Sequence, residues 1–152
     1  MRVMGLDVGD RTIGVAISDA LLITAQGKET IFRQSLKQDI DRLIELINEY
    51  EVTKIVAGMP YNMNGTLGPQ SEKTKQFMDK LEKKLIYSDR IKGKILIEYW
   101  DERMTTLSAT RMLIDADMRR DKRKEVVDKL AATLILQGYL DRNRISGCRS
   151  AI

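Results

Sequence analysis

Arg2-Val3-Met4-Gly5-Leu6-Asp7-Val8-Gly9-Asp10-Arg11-Thr12-Ile13-Gly14-Val15-Ala16-Ile17-Ser18 is the stretch that decides the fold. Arg2 to Asp7 reads as a short buried strand, through Val3, Met4 and Leu6. Gly9-Asp10-Arg11 is a turn signal. Thr12 to Ser18 is a second strand, so the two are expected to form a hairpin. An acid, Asp7, ends the first strand. A carboxylate at the end of a central buried strand needs a partner or a metal, although a turn aspartate bonded to local backbone N–H groups would look the same.

Working outward, Gln26 to Phe32 is a weaker third strand. Leu36, Ile40, Leu43, Ile44 and Ile47 recur at helical spacing and predict an amphipathic helix ending near Tyr50. Thr53 to Gly58 is a fourth strand. Met59 to Pro69 holds Pro60, Asn62, Asn64, Gly65 and Gly68, and is a loop. Ser71 is the expected cap of the next helix, with Phe77, Leu81 and Leu85 inward. Lys94 to Trp100 is a fifth strand. Thr106 to Asp115 reads as a helix, 117–124 as a charged connection, and Glu125 to Leu140 as a last helix with Val127, Leu130, Ala131 and Leu134 inward. The first three strands, joined by tight turns, must be antiparallel, and the two that arrive through helices are expected parallel to the first. This is an α/β chain with a mixed five-stranded sheet flanked by helices. One domain over 1–141 and a polar, frayed tail over 142–152 are expected.

Composition narrows the chemistry. The chain has 152 residues, 43% hydrophobic and 32% charged, with 26 basic and 22 acidic side chains. No apolar run approaches the roughly 20 residues that span a bilayer, and no signal-peptide pattern opens the chain. A cytoplasmic protein without a membrane partner is expected. The absence of histidine removes Ser-His-Asp and Cys-His nucleophiles and a histidine base. The single cysteine, Cys148, excludes an intrachain disulfide and a CxxC zinc site. No GxxxxGK[ST] is present, which excludes a P-loop.

Three acids remain in specific contexts: Asp7, Glu102 in Trp100-Asp101-Glu102-Arg103, and Asp128 in Val127-Asp128-Lys129-Leu130-Ala131-Ala132. Oxygen ligands of this kind hold Mg²⁺, which can drive phosphodiester hydrolysis if the fold joins them. Each also has a plainer reading. Arg103 can pair with Asp101 or Glu102, and strand alternation alone does not say which of the two acids faces inward. Asp128 alone reads as a solvated helix residue. Ala131 and Ala132 would let the last helix approach the sheet closely. Arg119, Arg120, Lys122, Arg123 and Lys124, just upstream of Asp128, read either as a solvated face or as a phosphate-contacting arm. The Met59–Pro69 loop, with Asn62 and Asn64, is either a connection or a phosphate cradle.

Gly5-Leu6-Asp7-Val8-Gly9 with Ile13-Gly14-Val15-Ala16, Gly58-Met59-Pro60 with Asn62-Met63-Asn64-Gly65, Asp101-Glu102-Arg103-Met104-Thr105-Thr106, and Val127-Asp128-Lys129-Leu130-Ala131-Ala132 together resemble the bacterial YqgF family. These are RuvC-like Holliday junction resolvases, also described as pre-16S rRNA nucleases. The resemblance runs in order from about Arg2 to Asp141. It implies an RNase H-like fold, a cytoplasmic location and a role in maturing small-subunit rRNA. It implies Asp7, Glu102 and Asp128 as catalytic carboxylates holding Mg²⁺ or Mn²⁺, with Asp10 or Asp101 as a possible fourth ligand. The expected partner is structured RNA, within or outside a pre-ribosomal particle, with branched DNA as the alternative; a monomer or a homodimer is compatible with either. Two other readings compete: a non-catalytic RNA-binding module, and a sugar-kinase or actin-like ATPase, whose phosphate-gripping hairpin Asp7-Val8-Gly9 with Gly14-Val15-Ala16 resembles.

Overall fold

The computed structural model describes residues 2–62, 64–91, 93–104 and 130–143. Strands β1 (Arg2–Val8), β2 (Thr12–Ser18) and β3 (Ala25–Phe32) are followed by helix α1 (Leu36–Glu49), strand β4 (Val52–Met59), helix α2 (Pro69–Tyr87) and strand β5 (Leu96–Asp101). A 3-10 turn, Glu102–Met104, ends β5. Residues 130–143 are helical and are called α3. The helix expected over 106–115, the charged connection and the tail beyond residue 143 lie outside the described residues.

The five strands form one sheet in the order β3-β2-β1-β4-β5. The β1–β2 and β2–β3 pairs are antiparallel, and β1–β4 and β4–β5 are parallel. The expected mixed sheet is therefore the one observed, and its parallel part places the carboxyl ends of β1, β4 and β5 along one edge. In open α/β sheets this edge is where ligands bind.

Each face of the sheet has its own core. Met4, Leu6 and Val8 alternate onto one face, where α1 and α2 cover them with Ile40, Leu43, Ile44, Phe77, Met78 and Leu81. Val3, Ala16, Val56 and Trp100 lie on the other face, under Ala132, Ile135, Leu136, Tyr139 and Leu140 of α3. Where α3 crosses β1 and β4, this face carries the small residues Gly5, Gly58 and Ala132. A Cβ on Gly5 would fall 2.7 Å from the Leu136 Cβ and 3.0 Å from the Ala132 carbonyl oxygen. Glycine at this position lets α3 lie against β1.

Two expectations change. Gly68, not Ser71, caps α2, with Pro69 in its first turn. Proline lacks an N–H and carries a helical φ, so it suits that position. Ser71 is buried instead, and its hydroxyl donates to the Pro60 carbonyl at 2.7 Å. In α3 the buried stripe is Ala131, Ala132, Ile135, Leu136, Tyr139 and Leu140, while Leu130 and Leu134 are only half-buried. Gln137 explains the roll of the helix. It accepts from the Ala25 N–H and donates to the Ile23 carbonyl, each at 2.9 Å, satisfying backbone groups at the start of β3. The helix also continues through residue 143, past the expected end at Leu140.

Candidate active site

Asp7 lies one residue beyond the Leu6–Ala57 pairing of β1 with β4. Alternation puts it on the face of Val3 and Gly5, beneath α3. Its lateral neighbour on β4 is Gly58, which is in register with Trp100 on β5. A Cβ on Gly58 would fall 2.8 Å from Glu102 Oε1 and would also meet the Ile135 Cδ1 methyl. The missing side chain at position 58 is therefore the space that the Glu102 carboxylate occupies. Adjacent strands lie about 4.8 Å apart, so the carboxylates of Asp7 and Glu102 share one face at the carboxyl edge of the parallel strands. Both residues are half-buried.

The sequence left open which of Asp101 and Glu102 turns this way. Asp101 belongs to the other parity of β5, in register with Met59. Its carboxylate is engaged by Arg103: Nε lies 3.0 Å from each oxygen, Nη2 2.6 Å from Oδ2, and the Arg103 N–H donates to Oδ1 at 2.9 Å. The guanidinium holds the Asp101 carboxyl below the usual carboxylate range. Asp10 is exposed, in the turn after β1, and pairs with Lys73 at 3.3 Å. Asp128, Arg119, Arg120, Lys122, Arg123 and Lys124 lie outside the described residues.

Asn62 and Asn64 shape their own loop. The Asn62 amide donates to Thr66 Oγ1 at 3.1 Å, and Asn64 Oδ1 accepts from the Thr66 N–H at 3.1 Å and its hydroxyl at 2.7 Å. Gly65 closes the turn at φ +85°, a left-handed conformation that glycine adopts without strain. Arg103 joins this loop to the end of β5, with its guanidinium over the Tyr61 ring at 5.7 Å and Nη1 donating to the Asn62 carbonyl at 3.5 Å.

The turn after Asp7 is buttressed from the β3–α1 connection and from α2. Arg33 Nη1 donates to the Gly9 carbonyl at 2.7 Å, while its Nε holds the buried Asp39 at 3.1 Å. Gln70 donates to the Val8 carbonyl at 3.2 Å. Sequence reasoning gave no role to Gly58, which it quoted only as part of a motif, and did not single out Arg33 or Gln70. Only Gly58 carried a visible signal, as a glycine at the end of a buried strand.

The donors gathered here are carboxylate oxygens with no sulfur or imidazole, which suits Mg²⁺ or Mn²⁺ rather than softer ions. Among the described residues no group of three or more His, Cys, Asp or Glu side chains comes together as a metal cluster. Asp7 and Glu102 are thus two donors.

A family model described as "RuvX: Holliday junction resolvase" matches residues 1–142. The chain belongs to the RuvX family. A relative from Clostridium tetani (strain Massachusetts / E88), named "Putative pre-16S rRNA nuclease", is 57% identical over 141 residues, covering 93% of this chain and 96% of its own. One of the same name from Desulforamulus reducens is 53% identical and is covered over 97% of its length. Among solved structures, Thermus thermophilus RuvC in complex with a Holliday junction superposes with a TM-score of 0.57 at 11% identity, covering 95% of this chain and 96% of that one. The yeast mitochondrial Holliday junction resolvase Ydc2 gives 0.51 at 11% identity, covering 99% and 84%. At such identities the likeness fixes the fold, which is the RNase H-like one expected. RuvX membership over nearly the whole chain displaces the sugar-kinase reading of the Asp7 hairpin.

Proposed function

We propose that this chain is a metal-dependent endonuclease that hydrolyses phosphodiester bonds of structured RNA, processing the 5′ end of pre-16S rRNA. The observation that carries the reading is the Glu102 carboxylate lying over Gly58 beside Asp7, at the carboxyl edge of three parallel strands. The name shared by the clostridial and Desulforamulus relatives supports the RNA substrate. RuvX membership itself supports the broader class, a hydrolytic nuclease.

Asp7 and Glu102, with Asp128 as the proposed third carboxylate, would hold Mg²⁺ or Mn²⁺. Such an ion lowers the pKa of bound water and neutralises charge developing on the phosphoryl oxygens. The protein's own part is placement. Gly58 makes room for one carboxylate, and β1 fixes the other. Arg103 keeps Asp101 turned away, so the charge on this face comes from the selected acids. The proposed phosphate contacts are Arg119, Arg120, Lys122, Arg123 and Lys124, immediately upstream of Asp128, and the loop of Asn62 and Asn64. The proposed substrate is cytoplasmic, and a single subunit suffices for it.

Branched DNA is the second reading, favoured by the family description and by the junction-bound RuvC neighbour. Symmetric cutting of a junction requires a two-fold dimer. The test is cleavage of a labelled rRNA-precursor fragment and of a four-way DNA junction, with Mg²⁺, Mn²⁺ or EDTA. Asp7→Asn, Glu102→Gln and Asp128→Asn are run beside the wild type. Metal-dependent cutting that each substitution abolishes is expected, with the RNA preferred. Full activity in all three variants would sink the assignment.

A further inference from the structure

Helix α2 carries charge of one sign along one side. On a helix of 3.6 residues per turn, Lys73, Lys80 and Lys84 fall within about 40° of arc, flanked by Gln76 and Tyr87. All five side chains are exposed. Neither Lys80 nor Lys84 has a carboxylate three or four residues away on the helix; each has the other instead, an arrangement that opposes helix formation. Among the described residues, neither takes part in an ion pair. The acids of α2 sit on the other side. Asp79 and Glu82 lie close enough to Tyr99 of β5 to help hold its phenol above the usual range, after the larger effect of burial. On the neighbouring α1, Asp41 is paired with Arg90 and Glu45 with Arg42, at 2.8 Å each. Lys73 pairs with Asp10 at 3.3 Å, but none of these acids neutralises Lys80 or Lys84.

The row begins at the candidate site. Gln70, in the first turn of α2, bonds to Val8 next to Asp7, and Lys73 reaches Asp10 in the turn that follows. From Lys73 to Tyr87 the row extends about 21 Å at 1.5 Å per residue. It therefore leads from the carboxylate edge along the outer surface of the α1/α2 layer.

We propose that Lys80 and Lys84, in line with Lys73, bind the phosphodiester backbone of the nucleic acid that flanks the cleavage point. The contact is electrostatic and reads no sequence. This inference rests on the nucleic-acid reading above, and it adds a path distinct from the basic arm before Asp128.

The full chain is titrated by fluorescence anisotropy with a labelled short RNA duplex, and with the DNA duplex of the same sequence, in EDTA across a NaCl series. Two lost phosphate contacts lower the slope of log K against log[NaCl] by roughly 1.5. The Lys80→Gln/Lys84→Gln variant is expected to show that drop, with about tenfold weaker binding at low salt. Lys75→Gln removes one charge on the acidic side, between Glu72 and Asp79, and is expected to leave the slope unchanged. Loss with one duplex only identifies which backbone the row holds; equal loss assigns it to both. An unchanged slope in the double variant, or the same drop in Lys75→Gln, overturns the proposal. Wild-type cleavage beside an unchanged slope overturns the lysine row alone. A slope drop in a protein that cleaves nothing leaves the row standing and removes the nuclease reading.

Discussion

Substituting alanine at two glycines should separate stability from catalysis, because their neighbours differ in freedom. At Gly5 an added methyl would meet the Leu136 Cβ at 2.7 Å and the Ala132 carbonyl at 3.0 Å. Neither atom can swing aside by rotating a side chain, so α3 itself must move. Overpacking of this kind costs about 1–3 kcal/mol. The stiffer unfolded chain returns about 0.4–1 kcal/mol. A net loss of about 1–2 kcal/mol lowers Tm by roughly 2–8 °C in a chain of this size. At Gly58 the methyl would meet the end of Ile135 and Glu102 Oε1 at 2.8 Å. The carboxylate is the far end of a flexible side chain and only the side chain of buried Ile135 is met, not backbone, so the loss of stability should sit at the low end of overpacking, about 1 kcal/mol, and below that of Gly5→Ala. The carboxylate, however, must retreat by roughly 0.7 Å to reach ordinary contact near 3.5 Å. A misplacement approaching 1 Å can cost about a hundredfold in rate, so Gly58→Ala should cleave about 10–100-fold more slowly. Urea unfolding and cleavage of the rRNA-precursor fragment measure the two effects on the same samples. A Gly58→Ala protein that cuts at the wild-type rate, or that loses as much stability as Gly5→Ala, would refute the argument.

Arg103→Gln should return the Asp101 carboxyl toward its ordinary range, read by NMR titration of the side chain. The hydrogen bond from Arg103 is the largest cause of the depression. The pair's contribution to stability is therefore present above the unfolded carboxylate pKa and fades as pH falls through the folded value. The wild type and variant should thus converge in acid. Ser71→Ala orphans the Pro60 carbonyl beneath α2 and should cost about 1–2 kcal/mol in urea unfolding. A cost indistinguishable from zero would mean that another donor replaces the hydroxyl. Gln137→Leu removes the acceptor of the Ala25 amide, which should then exchange its hydrogen faster than the β2-bonded amides of β3.

The hairpin and the mixed sheet, antiparallel at its start and parallel through the crossovers, were legible, because alternation in β1 and β2 and helical spacing in α1 leave few topologies; the order of the strands across the sheet came from the structure. Asp7 was legible for the same reason: it ends a strand that must be central. The choice between Asp101 and Glu102 was not legible. β5 ends at Asp101 and a 3-10 turn begins at Glu102, so the side-chain alternation that would have decided it stops between the two. Asn62 and Asn64 look like outward amides in sequence. Both are exposed, and their bonds to Thr66 appear only once the Gly65 turn has brought the loop back on itself. The roll of α3 depended on Gln137 reaching β3, more than a hundred residues away in the chain, a contact that periodicity cannot foresee.

The two faces of the sheet divide the work of the molecule. Beneath α1 and α2, large branched side chains such as Leu43, Ile44, Ile55 and Leu81 fill the space. Each contributes on the order of 1.5–3 kcal/mol by leaving water. Beneath α3 the contacts include Gly5, Ala16, Gly58 and Ala132, which bury little apolar area each. What these small residues provide is distance. They set α3 close to β1 and leave a gap over β4 that a carboxylate enters. Substitutions under α1 and α2 should therefore shift unfolding midpoints while leaving the relative rates on RNA and DNA substrates alone. Substitutions under α3 act on the elements that frame Asp7 and Glu102, so on that face the balance between lost stability and lost rate depends on which neighbour must yield: α3 itself at Gly5, the Glu102 carboxylate at Gly58.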